Sequence, residues 1–301
     1  MASKQRVLIT GATGTQGRGS VIHCLGRGHD VHAFVRNPSS PAAQDLQLLG
    51  AKLVRGDFDD EESLRLAMSS IDVVIFIHPN LTDLEADLRR ATNVVRAARS
   101  SPSVSTMIAS TAVQTGKHET FPGWGPGYPM YDYWRLKHAV EELVRGAGFA
   151  HWTILRPTNF LQLFKSPASD YFFPGFKEDG VLRVAFAPDT KIAWLDGGDV
   201  GVAAAQAASE PGAFAGREID LASEALTIEQ VAGKLRKALG SEVRVHYYSD
   251  EEAAELAKGG RAILITAQRW ANEVPSHSAV KAAKEFALTS VDEFFEKNKL
   301  F

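Results

Sequence analysis

Val7-Leu-Ile-Thr-Gly11-Ala-Thr-Gly14-Thr-Gln-Gly17 decides the fold. An apolar run enters a turn with glycine at every third position, and a helical pattern follows. Gly11 lets the chain turn sharply off a strand. Gly14 lets backbone amides approach an anion, and Gly17 lets the following helix pack closely on a sheet. Thr13, Thr15 and Gln16 stand at the same helix start. The plain alternative is a structural glycine turn. Its position between a strand and a helix argues instead for a pyrophosphate cradle.

Outward from that turn, short apolar runs alternate with helical patterns. Strands are predicted at Arg6–Thr10, Val31–Val35, Lys52–Arg55, Asp72–Ile77, Ser105–Ala109 and Trp152–Leu155. Between them the spacing predicts helices at Gln16–Arg27, Ala42–Leu49, Glu61–Met68 (behind Asp59 and Asp60 as capping candidates), Leu84–Arg99 and Tyr131–Gly146. Asp72–Ile77 is nearly all apolar, as a central parallel strand buried on both faces must be. This order implies an α/β fold, a doubly wound parallel Rossmann sheet with right-handed crossovers.

The pattern then loosens. Ser110–Met130 is rich in Gly, Pro and aromatics, which suits a lid or binding loop. Arg183–Phe186 and Ile192–Leu195 read as short strands, Asp199 as the cap of a helix through Ala208, and Glu218–Leu221 as a late sheet strand. Thr227-Ile-Glu-Gln and Ser249-Asp-Glu-Glu fit capping boxes, with a strand Val243–Tyr247 between their helices, and the last helix starts at Ser290. The expected division is a nucleotide-binding domain over 1–160, with return segments near 192–222. A smaller α+β substrate lobe takes 161–191 and 223–301.

Composition narrows the partners. Of 301 residues 45% are hydrophobic, and the net charge is −3. Phosphate-backbone binding needs a clustered basic surface, so nucleic acid is not an expected partner. Cys24, the one cysteine, falls inside the first helix and reads as a small buried hydrophobe. The start has no apolar leader segment, and no stretch of about 18 apolar residues follows. No membrane association and a cytoplasmic location are expected. No His/Cys/Asp/Glu cluster has metal-ligand spacing, so no metal is expected.

Arg36 follows the second strand, where dinucleotide-binding domains that prefer NAD place a carboxylate on the ribose. A guanidinium there would attract the 2′-phosphate of NADP(H). Such a charge-assisted contact is worth about 1.5–3 kcal/mol, roughly ten- to a hundred-fold in affinity. The alternative is a solvated surface charge. Asp57 and Phe58 follow the third strand, where an adenine would arrive. Asp57 either accepts from the exocyclic amine or caps the next helix.

Taken together, the glycine turn, Arg36, Gly56-Asp57, Tyr133-Trp-Arg-Leu-Lys137 and Trp152-Thr-Ile-Leu-Arg156-Pro157-Thr-Asn-Phe160 resemble the NmrA-like family of atypical short-chain dehydrogenase/reductases, of the fungal type. The resemblance runs from about residue 5 to the C-terminus and is densest over the first 160 residues. It implies NADP(H) in a cleft, with Pro157, Asn159 and Phe160 bordering the nicotinamide. The family includes reductases of small carbonyl or alkene substrates and redox sensors that bind NADP without turnover. Some relatives use the pocket for non-redox chemistry.

Tyr133 and Lys137 are four apart on a helix and share a face. In the wider dehydrogenase superfamily such a lysine holds the nicotinamide ribose and lowers the tyrosine pKa, so that the phenol exchanges a proton with substrate. Ser110 or Thr111 would orient the substrate. The alternatives are that Tyr133 is a packing residue and that Lys137 forms a surface pair with Glu141. His78, after the fourth strand, either serves as an acid/base group or makes a local hydrogen bond. His78-Pro79-Asn80 is expected near the nicotinamide ribose. His118 in the loop carries the same ambiguity, and Arg156 reads as a member of a buried ion pair. Trp124, Phe164, Trp194 and Trp270 are candidate walls of an apolar substrate pocket, with core packing as the plain alternative. Trp124 stands out because its Gly/Pro loop offers no evident core.

Three functions fit this reading. The first is an NADPH-dependent reductase of a small, largely apolar carbonyl, imine or enone. The second is an NADP(H)-sensing regulator that binds protein partners. The third is a biosynthetic enzyme that uses the pocket for non-redox chemistry.

Overall fold

A computed structural model describes residues 4–78, 83–128 and 130–301. Pro79, Asn80 and Pro129 lie outside the described residues. The chain divides into two compact units: Met1–Gly116, Asp132–Pro157 and Gly197–Ile219 form the first, and Lys117–Tyr131, Thr158–Asp196 and Asp220–Phe301 the second. Relative to the division expected from sequence, the aromatic loop 117–131 groups with the second unit.

The first unit starts with β1 (Arg6–Ile9), α1 (Thr15–Gly26), β2 (Asp30–Val35), α2 (Pro41–Leu48), β3 (Lys52–Arg55), α3 (Glu61–Ala67), β4 (Val73–Ile77), α4 (Leu84–Ser100) and β5 (Thr106–Ser110). It continues through α5 (Tyr131–Gly146) and β6 (His151–Pro157). After β7 (Asn159–Phe160), α6 (Ala168–Phe172), α7 (Phe176–Asp179), β8 (Val181–Val184) and β9 (Ile192–Leu195) in the second unit, the chain returns as α8 (Val200–Ser209), α9 (Pro211–Phe214) and β10 (Arg217–Leu221). The large sheet runs β10-β6-β5-β4-β1-β2-β3, and the registered pairs from β3 to β6 are parallel. The strand order reverses between β1 and β4, so the crevice at their carboxyl ends is where a doubly wound sheet binds ligands.

The core explains the strands. All five residues of β4 are buried, as are all five of β5. Leu8, Phe34, Val74, Phe76 and Met107 pack against α3, α4 and α5. Cys24 is buried, and burial pushes its thiol up to about 12, which leaves it inert. Asp60 caps α3, accepting from the amides of Glu62 and Ser63 at 3.1 Å, whereas Asp59 pairs with Arg89 and Arg90.

In the second unit, β11 (Glu224–Leu226) pairs with β9, and β12 (Arg244–Tyr247) with β8. Helices α10 (Ile228–Leu239), α11 (Asp250–Leu256), α12 (Ala262–Glu273), α13 (Ala279–Ala282) and α14 (Val291–Lys297) complete it. Capping boxes open α10 at Thr227, α11 at Ser249 and α14 at Ser290. One expected cap fails. Asp199 makes no side-chain cap bond to α8, because a 3₁₀ turn over Gly197–Asp199 has already put it in helical geometry. Among the described residues no helix is long and apolar enough to cross a membrane, and no group of three metal-ligating side chains comes together.

Candidate functional site

The glycine turn is fixed from below by Thr10. Its buried hydroxyl donates to Ile77 O at 3.1 Å and accepts from the Ile77 amide at 2.9 Å. This ties the end of β1 to the end of β4, on the crevice. Gly11 has φ +59°, and a Cβ there would lie 3.1 Å from Ile77 O. A Cβ on Gly17 would lie 2.1 Å from Gly11 O, so the first turn of α1 rests on the backbone of the turn itself. Gly14 differs: its Cβ would meet nothing closer than 3.4 Å. Among the described residues no close packing contact demands glycine there. Gly14 is also the N-cap of α1 and offers no capping side chain, which leaves the first amides of the helix for an anion.

Sequence reasoning missed a second glycine contact. A Cβ on Gly19 would lie 2.1 Å from Gly198 O, and one on Gly201 would lie 2.3 Å from the Gly19 carbonyl carbon. Backbones of α1 and the α8 entry therefore touch directly. The partners are about 180 residues apart, so no local pattern marks them.

Around the turn, Thr13, Gly14 and Thr15 are exposed and Gln16 is half-buried. Gln16 Oε1 accepts from the Ser110 hydroxyl at 2.6 Å. Ser110, expected to orient substrate, thus joins the end of β5 to the glycine turn. Arg36 is exposed just past β2 and makes no ion pair among the described residues. Asp57 Oδ1 accepts from the Asp59 amide at 3.0 Å, a local turn, while Asp60 does the capping that Asp57 was considered for. Phe58 stacks on Phe34, centroids 5.9 Å apart and planes 12° apart, and faces His78 at 6.4 Å. His78 Nε2 meets Asp87 O at 3.1 Å and Phe76 edge-on, the local hydrogen bond rather than an open acid/base position.

Lys137 is 8% exposed. Among the described residues it has no hydrogen bond and no ion pair, and its ammonium lies 5.5 Å from the Tyr133 ring centroid. Burial pushes its pKa down to about 8, against the pull of the Asp87 carboxylate. The expected lowering of the Tyr133 pKa is not what the structure gives. Burial raises that phenol to about 12, and the lysine sits over the ring face. Tyr133 also packs edge-on against Trp134, centroids 5.1 Å apart.

The alternative partner for Lys137, Glu141, is fully engaged elsewhere. Its carboxylate is 0% exposed. It accepts from Thr111 Oγ1 at 2.7 Å, from Arg156 at 2.9 and 2.6 Å, and from Arg145 at 2.6 Å. Both arginines also reach Glu218 on β10 at 2.6 Å. Arg156 is thus in the buried ion pair expected of it. Thr111, the other residue expected to orient substrate, has its hydroxyl engaged in this cluster. Arg145 and Glu218 went unnoticed in the sequence, although a buried Arg156 requires carboxylates somewhere.

Of the segment expected beside a nicotinamide, Pro157 ends β6, and Asn159 and Phe160 form β7. Asn159 Nδ2 donates to Ala193 O at 3.3 Å. Two expected pocket walls are core instead. Phe164 (0% exposed) stacks on Phe173 at 4.5 Å and meets Trp194 at 5.2 Å, and Trp194 is 1% exposed in the same cluster. Trp124 does have rings to pack on. His118, Tyr128 and Tyr131 lie 4.8, 5.2 and 4.7 Å from it. Phe121 joins this nest to Trp270 at 5.7 Å. Trp124 and Trp270 remain half-buried.

Comparison with known proteins places the chain in a family and a fold. A sequence model of the NmrA-like family matches residues 3–295. Pinoresinol reductase 2 of Arabidopsis thaliana is 28% identical over 209 residues, 63% of this chain and 62% of its own length, so that match spans less than two thirds of the plant protein. The NAD(P)H azoreductase of Xenophilus azovorans is 26% identical over 254 residues, 84% of this chain and 80% of its own. The solved structure of NmrA, a negative transcriptional regulator, in complex with NADP superposes with a TM-score of 0.77 at 21% identity, covering 98% of this chain and 95% of that one.

Proposed function

Because this chain belongs to the NmrA-like family, we propose that it is an NADPH-dependent reductase of a small, largely apolar carbonyl, imine or enone. The observation that carries the reading is Lys137. An ammonium buried this deeply with no hydrogen bond or ion pair among the described residues is costly unless a ligand oxygen meets it. A nicotinamide ribose hydroxyl is the group such a lysine holds in dinucleotide reductases. Gly14 fits the same cofactor, since the bare backbone at the start of α1 leaves room for a pyrophosphate to approach. The named reductase relatives support turnover.

The residues divide the work. Amides of the first turn of α1 take the pyrophosphate, and Arg36 takes the 2′-phosphate. Asp57 and Phe58 border the adenine. Gln16, fixed by Ser110, lines the turn. Lys137 holds the ribose, and Tyr133 or a group of the 110–130 loop supplies the proton to the substrate oxygen, nitrogen or carbon. When bound, NADPH supplies the hydride. The test is NADPH consumption with a panel of quinones, azo compounds and enones. Saturable, substrate-dependent loss of NADPH is expected. Tight NADPH binding without consumption across the panel sinks the reading, as does conversion that leaves the cofactor unchanged.

One observation favours a second reading, an NADP(H)-binding regulator with a protein partner. A phenol held near 12 is a reluctant proton donor, and a sensor needs none. Binding of NADPH without turnover, together with a stable protein complex, distinguishes it.

A further inference from the structure

We propose that the second unit carries a binding site for a small organic carboxylate, formed by Arg183, Tyr248 and Arg261. The site begins with strand alternation. In the parallel pair β8–β12, His246 stands opposite Arg183. Leu182, Val184 and Val245 face the core, so Arg183 and His246 occupy the other face. Tyr248 lies one step beyond β12 on that face. Its amide bonds Val184 O at 2.8 Å, and its ring meets His246 edge-on at 5.8 Å. A recess of about 580 Å³ opens here, walled also by Pro174, Leu256 and Gly259.

The two guanidiniums differ in what they have left to offer. Arg183 is anchored to Asp179, with Nη1 to Oδ1 at 3.1 Å, and a Cβ on Gly175 would crowd that nitrogen at 2.9 Å. Arg261 has no hydrogen bond or ion pair among the described residues. It sits at the corner where Gly259 and Gly260 (φ +88°) break the helical path between α11 and α12. Both cations act on the Tyr248 phenol, opposing the upward push of burial. Glu252 and Glu255 also line the recess, and both are engaged. His246 meets Glu252 at 3.0 Å and the Ser249 amide donates to it at 2.8 Å, while Lys258 reaches Glu255 at 3.4 Å. The unspent groups are a guanidinium fork and an O–H, which match the planar oxygens of a carboxylate. Pro174, Leu256 and the Tyr248 ring favour an organic body over bare phosphate. The site shares no residue with the glycine turn.

The test titrates the full chain with benzoate, with benzyl alcohol and inorganic phosphate as controls, followed by NMR of arginine side-chain and tyrosine ring signals. Benzoate should saturate and shift the Arg261 and Tyr248 signals. Arg261→Met should weaken it at least about tenfold and Arg261→Lys less, with melting temperatures close to wild type, since Arg261 makes no hydrogen bond or ion pair among the described residues. Tyr248→Phe should weaken it with the ring retained. Benzoate that does not saturate overturns the site, as does equal affinity in Arg261→Met. Phosphate or benzyl alcohol binding as well as benzoate overturns the carboxylate assignment.

Discussion

Lys137 Nζ stands 5.5 Å from the centroid of the Tyr133 ring, over its face, inside the buried side of α5. The pair shares one helix face as its spacing requires, but the contact is between a cation and a π-face rather than between an ammonium and a phenolic oxygen. The two pKa values move apart, lysine down to about 8 and tyrosine up to about 12.

The lysine shift makes a stability prediction. Between about 8 and its ordinary 10.5, the unfolded chain holds a proton on this residue that the folded chain does not. Stability therefore rises with pH through that window, by about 3 kcal/mol as an upper figure. Lys137→Met removes the penalty. Urea unfolding should find the variant more stable than wild type near neutrality, with the difference closing as pH approaches 10.5. The same variant should bind NADPH more weakly, because the ribose loses its cation. A variant less stable at every pH would mean that the ammonium has a partner in the folded chain.

Gly14 and Gly17 predict opposite outcomes from the same substitution. Gly17→Ala forces a methyl to 2.1 Å from Gly11 O, against backbone that cannot step aside. It should lower the melting temperature and carry NADPH binding down with it. Gly14→Ala meets only an ordinary 3.4 Å contact, so the fold should hold. Its NADPH affinity should nevertheless fall at least about tenfold, as the methyl occupies the approach to the pyrophosphate. Calorimetric melting and titration on both variants separate the two roles.

These two glycines also show where sequence is informative. Turn chemistry and periodicity are local, so the glycine turn, the β/α alternation and helix α5 could be read directly, the last with the observed bounds Tyr131–Gly146. Pairings across the sheet could not. Ser110 meets Gln16 over 94 residues, and nothing near either residue says so. Thr111 looks identical to Ser110 in sequence, yet it turns to Glu141. Aromatic residues carry no label for core or pocket. Phe164 and Trp194 fill a core, while Trp124 makes its own nest from neighbours within a few residues. The Asp199 cap failed because capping depends on backbone angles that a Gly-Gly approach altered.

Arg36 predicts cofactor choice. It is exposed and unpaired among the described residues, so replacing it should leave folding untouched. Arg36→Ala should weaken NADPH by about ten- to a hundred-fold, since a charge-assisted phosphate contact is worth roughly 1.5–3 kcal/mol. NADH, which lacks the 2′-phosphate, should change little. Isothermal titration with both dinucleotides is the measurement, and equal losses would remove Arg36 from the phosphate site. The loss should also shrink as salt rises, because the contact is solvent-facing.

Glu141 predicts the largest loss of stability. Its carboxylate is 0% exposed and holds Thr111, Arg145 and Arg156 at 2.6–2.9 Å, joining β5, α5 and β6 around one point. Glu141→Gln keeps the shape and removes the buried charge that Arg145 and Arg156 share, while Glu218 and, for Arg145, Glu142 remain. Removing one partner of a buried pair typically costs about 3–5 kcal/mol. The surface pair Glu62–Arg65 is the control. Both side chains are more than 60% exposed and screened by solvent, so Glu62→Gln should cost little. Glu141 lies one turn past Lys137 on α5, so the damage should also reach the cofactor site. Chemical denaturation should separate the two variants by several kcal/mol, and NADPH titration should find weaker binding in Glu141→Gln alone. Equal, small losses in both would mean that the buried cluster contributes no more than a surface pair.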